Sequence, residues 1–366
     1  MKPRHGLVLG RFYPPHAGHH LLVRTASRAC ERATVLVLAS AVESIPLEAR
    51  LAWMREVHAG ERNVDLVGGM DEHRIDCADP RVWDAHMAVF TGLLARAGGP
   101  PVDAVFTSES YGAELARRLS ARHVAVDPGR ELVPVSGTQL GADPAAGWGW
   151  LEPPVRAGLA KRLVIAGAES TGKTTLAREL RDALAARGGA FAETRWVPEF
   201  GRDFTLDKLA LARAEAAWRG APAPGMDALV WTGEDFVEIA RAQNALEERE
   251  ARVGGPVLVC DTDAFATAVW HERYRGARAP EVEALADPRP RLYLVTHHDD
   301  VAFEQDGIRD GEHLRAWMTG AFLERLSASP HRYELLRGAR AERLERACAA
   351  VDRWLADGWG LPPPLG

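Results

Sequence analysis

The chain has 366 residues, of which 46% are hydrophobic and 26% charged, and its formal net charge is −6. This length fits about two domains, and the composition is that of an ordinary globular protein. Because acids and bases are interspersed, we expect no nucleic-acid partner, and no apolar run is long enough to cross a membrane. The amino-terminal segment turns polar too early for a signal peptide, so we expect a cytoplasmic protein.

The four cysteines are scattered along the chain without any CxxC spacing. This distribution predicts neither a zinc site nor a disulfide framework. We interpret them as small apolar residues of the interior. They are Cys30, Cys77, Cys260 and Cys348.

The first predicted elements are a short strand over residues 6–10 and a helix that begins near two histidines. His16 and His19 are three residues apart, which places both imidazoles on one side of the helix start. Rings at that position are suited to donating hydrogen bonds to phosphate oxygens, and Arg11 would add a fixed positive charge. A structural or surface role for the two histidines is the alternative.

Further strands are predicted over residues 35–40 and 102–107, with a helix over 44–57 between them and another beginning near Tyr111. Ser108 and Glu109 follow the second of these strands. Open α/β sheets bind ligands at the carboxyl ends of their strands, so both are candidate substrate contacts. Trp83 could stack on a base, although a tryptophan on an apolar helix face also suits the core.

The string GRFYPPHAGHHLL resembles the [HT]xGH signature of the nucleotidylyltransferase superfamily. Its lead-in is similar to that of nicotinamide mononucleotide adenylyltransferases. This resemblance implies that His16 and His19 bind ATP phosphates and stabilise the transition state at the α-phosphorus. It also implies a nicotinamide mononucleotide pocket bordered by Arg50 and Trp53. The nucleotide contacts it implies come from Gly10, Arg11, Ser136 and Thr138.

One position departs from that pattern. The related domains read SGTxxR, but this chain reads SGTQLG, with Gly141 in place of the phosphate-binding arginine. Losing a charge-assisted contact costs about 1.5–3 kcal/mol, or roughly 10- to 100-fold in rate. Arg117, Arg118 and Arg130 are candidates to replace it. Otherwise the first domain would bind nucleotide without turnover.

Residues 147–158 are predicted to be a short, stiff joint, which gives domains of about 1–155 and 159–366. The second domain opens with a predicted strand, 163–166, followed by GAESTGKTT. This string fits GxxxxGK[ST], a loop whose glycines allow close approach to phosphate. Lys173 would reach the β- and γ-phosphates of ATP, and the Thr174 hydroxyl would hold Mg²⁺. The expected cofactor contacts are Gly167, Glu169, Ser170, Thr171, Gly172, Lys173, Thr174 and Thr175.

Acidic and basic residues follow the next predicted strands. Glu199 and Arg202, after the strand 194–197, are candidates for general base and substrate contact, or else form a surface ion pair. A helix is predicted over 230–250 and a strand over 257–260. Asp261 then suits the metal site and Asp263 the substrate, although the two could exchange roles or cap a helix.

The last predicted elements are a strand over 292–296 and a closing helix over 332–354. Between them, DGIRD with Arg309, followed by Arg315, resembles the lid of nucleoside and nucleotide kinases. The resemblance implies that Arg309 closes over the transferring phosphoryl group. An ordinary charged loop is the alternative.

The order HAGH, TSESYG, VDPGR, PVSGT and GAESTGKTTL resembles the NadR-type bifunctional proteins, which join an adenylyltransferase to a ribosylnicotinamide kinase. We expect this chain to lack the additional DNA-binding domain of some members. The implied fold is α/β, a Rossmann-like nucleotidylyltransferase domain followed by a P-loop kinase domain with a parallel sheet. The implied cofactors are ATP and Mg²⁺.

The resemblance implies phosphorylation of nicotinamide riboside and then adenylyl transfer to nicotinamide mononucleotide, with NAD as product or effector. A homo-oligomer is compatible with the sequence. One alternative is a kinase of another small nucleoside beside an inactive first domain. Another is a regulatory protein that senses NAD or ATP without useful turnover.

Overall fold

The computed structural model describes residues 2–76, 78–304 and 311–365. The chain divides into two compact units, one formed by Met1–Leu159 with Asp357–Gly366 and the other by Ala160–Ala356. The predicted second domain extends to residue 366, whereas the last ten residues group with the first unit. Each unit contains one five-stranded parallel sheet, which confirms the predicted fold class.

The sheet of the first unit has the strand order β3-β2-β1-β4-β5. Leu7 and Val8 on the central strand point to opposite faces, and each belongs to a separate apolar cluster between sheet and helices. The strands are β1 (His5–Gly10), β2 (Arg32–Ala39), β3 (Val64–Met70), β4 (Ala104–Thr107) and β5 (Arg122–Ala125). The helices are α1 (Ala17–Ala29), α2 (Leu47–Val57), α3 (Pro80–Ala97), α4 (Gly112–Arg118), α5 (Gly137–Ala142) and α6 (Pro153–Leu159).

The sheet of the second unit has the order β10-β9-β6-β8-β7. In both units the chain order reverses beside the central strand, β1 or β6, and such a switch point is where open α/β sheets bind ligands. The strands are β6 (Lys161–Ala166), β7 (Arg195–Val197), β8 (Val257–Asp261), β9 (Leu292–Thr296) and β10 (Arg332–Leu336). The helices are α7 (Lys173–Ala185), α8 (Phe200–Trp218), α9 (Gly233–Val253), α10 (Ala264–Arg275), α11 (Pro280–Glu283), α12 (Arg315–Ser327) and α13 (Arg340–Ala356).

The predicted closing helix over 332–354 was wrong in its first part. Residues 332–336 form β10, which pairs in parallel with β9, and Gly338 at φ +100° turns the chain before α13 begins. The apolar residues at helical spacing belong to α13, where Ala347, Val351 and Trp354 are buried. A short apolar run ahead of a helix cannot be separated from it by periodicity alone.

Two other features complete the description of the chain. No helix within the described ranges combines the length and apolar character needed to cross a bilayer. Cys30 and Cys260 are buried and Cys348 is half-buried, all three as free thiols. Cys77 lies outside the described residues.

Candidate active sites

The glycine-rich loop of the second unit connects the end of β6 to the start of α7. Positive φ angles occur at Gly167 (+144°), Ser170 (+53°) and Gly172 (+79°). A Cβ on Gly167 would lie 2.4 Å from the Thr296 hydroxyl oxygen, so only glycine fits there. The Thr171 hydroxyl contacts that of Thr296 at 2.6 Å, which anchors the loop to β9. The first amides of α7 have no helical acceptor and can bind an anion.

Lys173 and Thr174, the first residues of α7, connect the loop to β8. Lys173 Nζ donates to the Ala168 carbonyl at 2.8 Å, and Thr174 Oγ1 donates to Asp261 Oδ2 at 2.5 Å. Asp261 is 1% exposed, and its Oδ1 has no hydrogen-bond partner among the described residues. Burial raises the pKa of Asp261, and the Lys173 charge opposes that shift. A hydroxyl and an unsatisfied carboxylate oxygen are the hard ligands that Mg²⁺ prefers.

A cavity of about 320 Å³ opens beside this loop. Glu199, which precedes α8, and Arg202 in its first turn both line the cavity, together with Thr171 to Thr175 of the loop. Burial raises the pKa of the Glu199 carboxyl, whereas Lys173 acts in the opposite direction. A carboxyl, a guanidinium and the phosphate loop therefore face the same space.

Aromatic rings from three segments line the remainder of the cavity, and they are a feature that the sequence analysis missed. The centroid of Trp231 lies 5.0 Å from Tyr274 and 5.5 Å from Phe236. Trp270 stacks beside Tyr274 at 6.5 Å, because the spacing of four residues places both on one face of α10. That spacing was the available signal, but Trp231 and Phe236 come from a distant part of the sequence.

Two acids predicted for this site have partners within the protein. Asp263 is 1% exposed, caps α10 through the Ala266 amide at 2.9 Å, and accepts from Arg291 at 3.1 Å and from the Tyr293 hydroxyl at 2.5 Å. Asp263 is not among the residues that line the cavity, and it caps α10 as the helix-cap alternative expects, so its substrate contact stays a prediction. Glu169 does line the cavity, but its carboxylate accepts from Arg273 at 2.8 Å.

Two arginines support the back of the glycine-rich loop: Arg343, which the sequence analysis did not single out, and Arg315, which it named with the segment resembling a lid. Arg343 on α13 donates to the Thr171 carbonyl at 2.8 Å, and Arg315 donates to the carbonyls of Ser170 at 3.3 Å and Val301 at 2.7 Å. Both are at most 8% exposed. The predicted lid residue Arg309 lies outside the described residues.

The first unit places its two histidines together at the start of α1. His16 is the N-cap, and its Nδ1 accepts from the Gly18 amide at 3.2 Å. The ring of His19 lies 3.7 Å away, centroid to centroid. Burial, followed by the Arg130 charge, lowers the pKa of His16 to about 4, and burial also lowers the pKa of His19 well below its ordinary value. Both rings are therefore neutral at pH 7, and His16 carries its proton on Nε2.

A small cavity of about 50 Å³ lies against these rings. Nitrogens His16 Nε2 and His19 Nδ1 are buried and have no partner within the part of the chain that the structure describes. Arg130 also lines this cavity and donates to Glu109 at 2.9 Å. The other residues predicted for this site that line the cavity are Ser108, Glu109 and Ser136.

Several residues predicted for the first site lie elsewhere in the first unit. Arg50 is fully buried, donating to the Ile45 carbonyl at 2.6 Å and pairing with Glu43 at 2.7 Å. Trp83 is 7% exposed within an apolar cluster. Arg11 pairs with Glu43 at 3.1 Å. Over the described residues, the lining of this cavity includes none of Gly10, Arg11, Arg50, Trp53, Trp83 or Thr138.

The arginines proposed as substitutes for position 141 differ in their positions. Arg117 and Arg118 both donate to Glu114, at 2.6 to 2.7 Å, and Arg118 also contacts Asp84. Arg130 alone of the three lines the cavity described above. Gly141 lies within α5, and a Cβ there would meet no atom within 4 Å.

Two parallel α/β units, the second with a phosphate loop at its switch point, define an α/β protein of the P-loop class. The family described as AAA domain matches residues 162–343. Two crystal structures of NadR protein have this fold. The one in complex with NAD and AMP-PNP has a TM-score of 0.68 at 19% identity and covers 99% of this chain and 98% of its own. The one in complex with NR has a TM-score of 0.65 at 20% identity and covers 96% of each.

The curated relatives extend the match to the sequence. The trifunctional NAD biosynthesis/regulator protein NadR of Escherichia coli K12 is 26% identical over 321 residues, which is 83% of this chain and 71% of that protein. The same protein of Salmonella typhimurium LT2 is 25% identical over 324 residues, with the same coverage. The chain is therefore a homologue of the NadR proteins, and the resemblance indicated by its motifs is confirmed.

Proposed function

We propose that the chain is a transferase of NAD biosynthesis. Its second unit would phosphorylate nicotinamide riboside with MgATP, and its first unit would transfer AMP from a second ATP to the resulting mononucleotide. Support comes from NadR relatives whose similarity spans both units. It also comes from the phosphate loop, which lines a cavity large enough for a substrate.

The observation that carries the kinase assignment is a single cavity lined both by the phosphate loop and by four aromatic rings. Nicotinamide riboside contains a positively charged pyridinium ring. The faces of tryptophan and tyrosine attract such cations by about 0.5–2 kcal/mol, in addition to apolar burial. The rings of Trp231, Trp270 and Tyr274 would hold the pyridinium ring and direct the ribose toward the phosphate loop.

The phosphoryl transfer follows from the charged and hydroxyl residues that line the same cavity. We assign Glu199 as the general base, which takes the proton of the 5′-hydroxyl as its oxygen bonds to the γ-phosphorus and the bond to the β-phosphate bridging oxygen breaks. Lys173 would leave its carbonyl partner for the phosphate oxygens. Thr174 and Asp261 would hold Mg²⁺, which neutralises phosphate charge when bound.

For the first unit, we propose that the neutral imidazoles of His16 and His19 donate hydrogen bonds to the α-phosphate of ATP. The mononucleotide phosphate oxygen would bond to that phosphorus as pyrophosphate leaves. Unpartnered, buried nitrogens are suited to this because they form their hydrogen bonds only when the anion is present.

The kinase assignment is tested by incubating purified protein with nicotinamide riboside and MgATP and following mononucleotide by chromatography. We expect product from the native chain and from Lys2→Ala, an exposed-lysine control. Lys173→Ala should reduce the rate by about 10²–10³-fold, as for loss of one preorganised charge contact. If neither the native chain nor any variant forms mononucleotide and another nucleoside is phosphorylated instead, the proposed substrate is contradicted.

A second function for the first unit is favoured by Gly141 and by the ion pair of Arg130 with Glu109. In that case the first unit would bind NAD or ATP as a sensor, without turnover. Two measurements separate these functions: the affinity for NAD by calorimetry, and the rate of NAD formation from mononucleotide and MgATP. Tight NAD binding with negligible formation of NAD would favour the sensor.

A further inference from the structure

A cluster of one carboxylate and two imidazoles lies in the first unit, where the chain leaves β3 and enters α3. Asp71 directly follows β3 and is 2% exposed. Its Oδ1 lies 2.9 Å from His73 Nδ1, and its Oδ2 lies 2.7 Å from His86 Nδ1. The potential ligand atoms of these three residues all lie within 4.8 Å of one another. We propose that Asp71, His73 and His86 form a binding site for one divalent transition-metal ion.

The surroundings of His86 are compatible with a bound cation. Its Nδ1 faces the Asp71 carboxylate, and its Nε2 faces the Arg74 carbonyl at 3.1 Å. Both partners are acceptors, so a neutral imidazole satisfies only one of them. A second ring proton at Nδ1 satisfies both acceptors, and so does a metal at Nδ1, because Nε2–H then donates to the carbonyl. Metal-bound histidines are commonly oriented by such a donation to a backbone carbonyl.

Two of the three ligands, Asp71 and His86, are also held in place before any ion binds. The Asp71 amide donates to the Ala39 carbonyl at 2.8 Å, which continues the ladder between β2 and β3. Arg11 donates to the Asp71 carbonyl at 3.3 Å. The His86 side chain is only 12% exposed. A prearranged site loses less conformational entropy on binding.

The donor set defines the class of ion. Two imidazoles and one carboxylate suit Zn²⁺, Co²⁺, Ni²⁺ and Fe²⁺, whereas Mg²⁺ and Ca²⁺ prefer oxygen ligands. The His73 side chain is 45% exposed, which gives an ion a path from solvent and leaves a coordination position for water. The ion would join the end of β3 to the second turn of α3.

A second cluster of the same composition provides a matched control. His297, His298 and Asp299 are consecutive and also bring three potential ligand atoms together. Their polar atoms are otherwise engaged, since His297 Nδ1 accepts from the Asp299 amide at 3.2 Å and His298 Nδ1 contacts the Thr319 hydroxyl at 3.1 Å. The Asp299 side chain is 65% exposed. We therefore do not assign a metal to this cluster.

The test is a titration of the full chain, freed of metal by a chelator, with Zn²⁺ by calorimetry and with Co²⁺ by visible absorption. Excess Mg²⁺ is present so that oxygen sites near Asp261 are occupied. We expect one saturable site per chain. His73→Ala and His86→Gln should each weaken binding at least about tenfold, while His298→Ala leaves it unchanged.

Circular dichroism of each variant separates lost ligands from lost folding, and His73→Ala is the safer variant because that side chain is nearly half exposed. A folded His73→Ala variant that has lost the Co²⁺ spectrum supports the site. The proposal is overturned by an absence of saturable binding in the native chain. It is equally overturned if binding disappears in His298→Ala and persists in His73→Ala.

Discussion

The two units place their anion sites at the same topological position, beyond the carboxyl end of a central strand and at the start of the next helix. They differ in how much space and charge they leave for a ligand. The second has a cavity of about 320 Å³ and a lysine whose Nζ donates to a backbone carbonyl. The first has about 50 Å³, and its nearby Arg130 is already paired with Glu109. A common topology therefore does not imply equal readiness for catalysis.

The largest effect should come from removing the proposed base of the second site. We expect Glu199→Gln to lower kcat for mononucleotide formation about 10²–10⁴-fold with little change in KM, because an amide cannot take the hydroxyl proton. Steady-state kinetics with nicotinamide riboside and MgATP measure this. Glu193→Gln is the matched control, since Glu193 lies just before the preceding strand and is largely exposed. A nearly unchanged kcat in Glu199→Gln would transfer the role of base to Asp261.

The next effect concerns the missing charge of the first site. Gly141→Arg should raise adenylyl transfer about 10- to 100-fold, which corresponds to one charge-assisted phosphate contact of about 1.5–3 kcal/mol. The helix has room for the side chain, because a Cβ at Gly141 meets no atom within 4 Å. NAD formation from mononucleotide and MgATP measures the gain. Gly149→Arg, at an equally open position, is the control.

A gain in adenylyl transfer that occurs in Gly141→Arg and not in Gly149→Arg would show that the first site lacks only the phosphate-binding charge. Equal rates in both variants and the native chain would show instead that the first site has been rearranged or only binds nucleotide. The second outcome would strengthen the comparison, because the two units would then differ in function and not only in rate.

The residues that sequence could assign are those whose role follows from local chemistry. The glycine-rich loop, the histidines at the start of α1 and the acid that ends β8 can each be identified from a short string and its neighbouring strand or helix. The structure places Arg50, Trp83 and Asp263 outside the two cavity linings, and each is a polar or aromatic side chain with two suitable environments. Only the fold shows which environment each side chain has, because the buried Arg50 and Asp263 pair with residues from other parts of the chain.

The features that sequence could not predict depend on long-range packing. The aromatic rings around the kinase cavity come from the segment before α9, from α9 and from α10, so their convergence requires the fold. The cluster of Asp71, His73 and His86 likewise depends on the fold, because it brings the end of β3 to His86 on α3, 15 residues after Asp71. The strand β10 was missed because its pairing with β9 has no local signature.

A smaller effect tests whether the aromatic rings recognise a charged substrate. We expect Tyr274→Leu to raise the KM for nicotinamide riboside about 5- to 30-fold, because about 1–2 kcal/mol of cation–π attraction is lost. Tyr274→Phe keeps the ring face and should remain close to the native value. The reduced, uncharged form of the nucleoside is the second control, and its KM should differ less between the variants. An equal loss for both forms would indicate shape and not charge.

The last effect is on stability and not on catalysis, and it should have opposite signs in the two units. Burial lowers the pKa of His16 to about 4 and of His20 to about 3, so the unfolded chain takes up protons on these residues as pH falls below 6.5 while the folded chain does not. Their contribution to stability is present above pH 6.5 and lost toward pH 4. Burial raises the pKa of Glu247 in the second unit to about 7, so the folded chain takes up that proton first, and its contribution rises as pH falls from 7 to 4.5.

Hydrogen exchange at pH 7 and pH 5, corrected for intrinsic rates, measures this difference. We expect protection of β1 and α1 to fall by about 1–2 kcal/mol per buried imidazole, and protection of β8 and α9 to hold or rise. His20→Gln should reduce the loss in the first unit, and Glu247→Gln should remove the gain in the second. Parallel losses in both units would mean that acid acts through surface charge. Opposite changes would show that the buried titratable groups of each unit determine how the stability of that unit depends on pH.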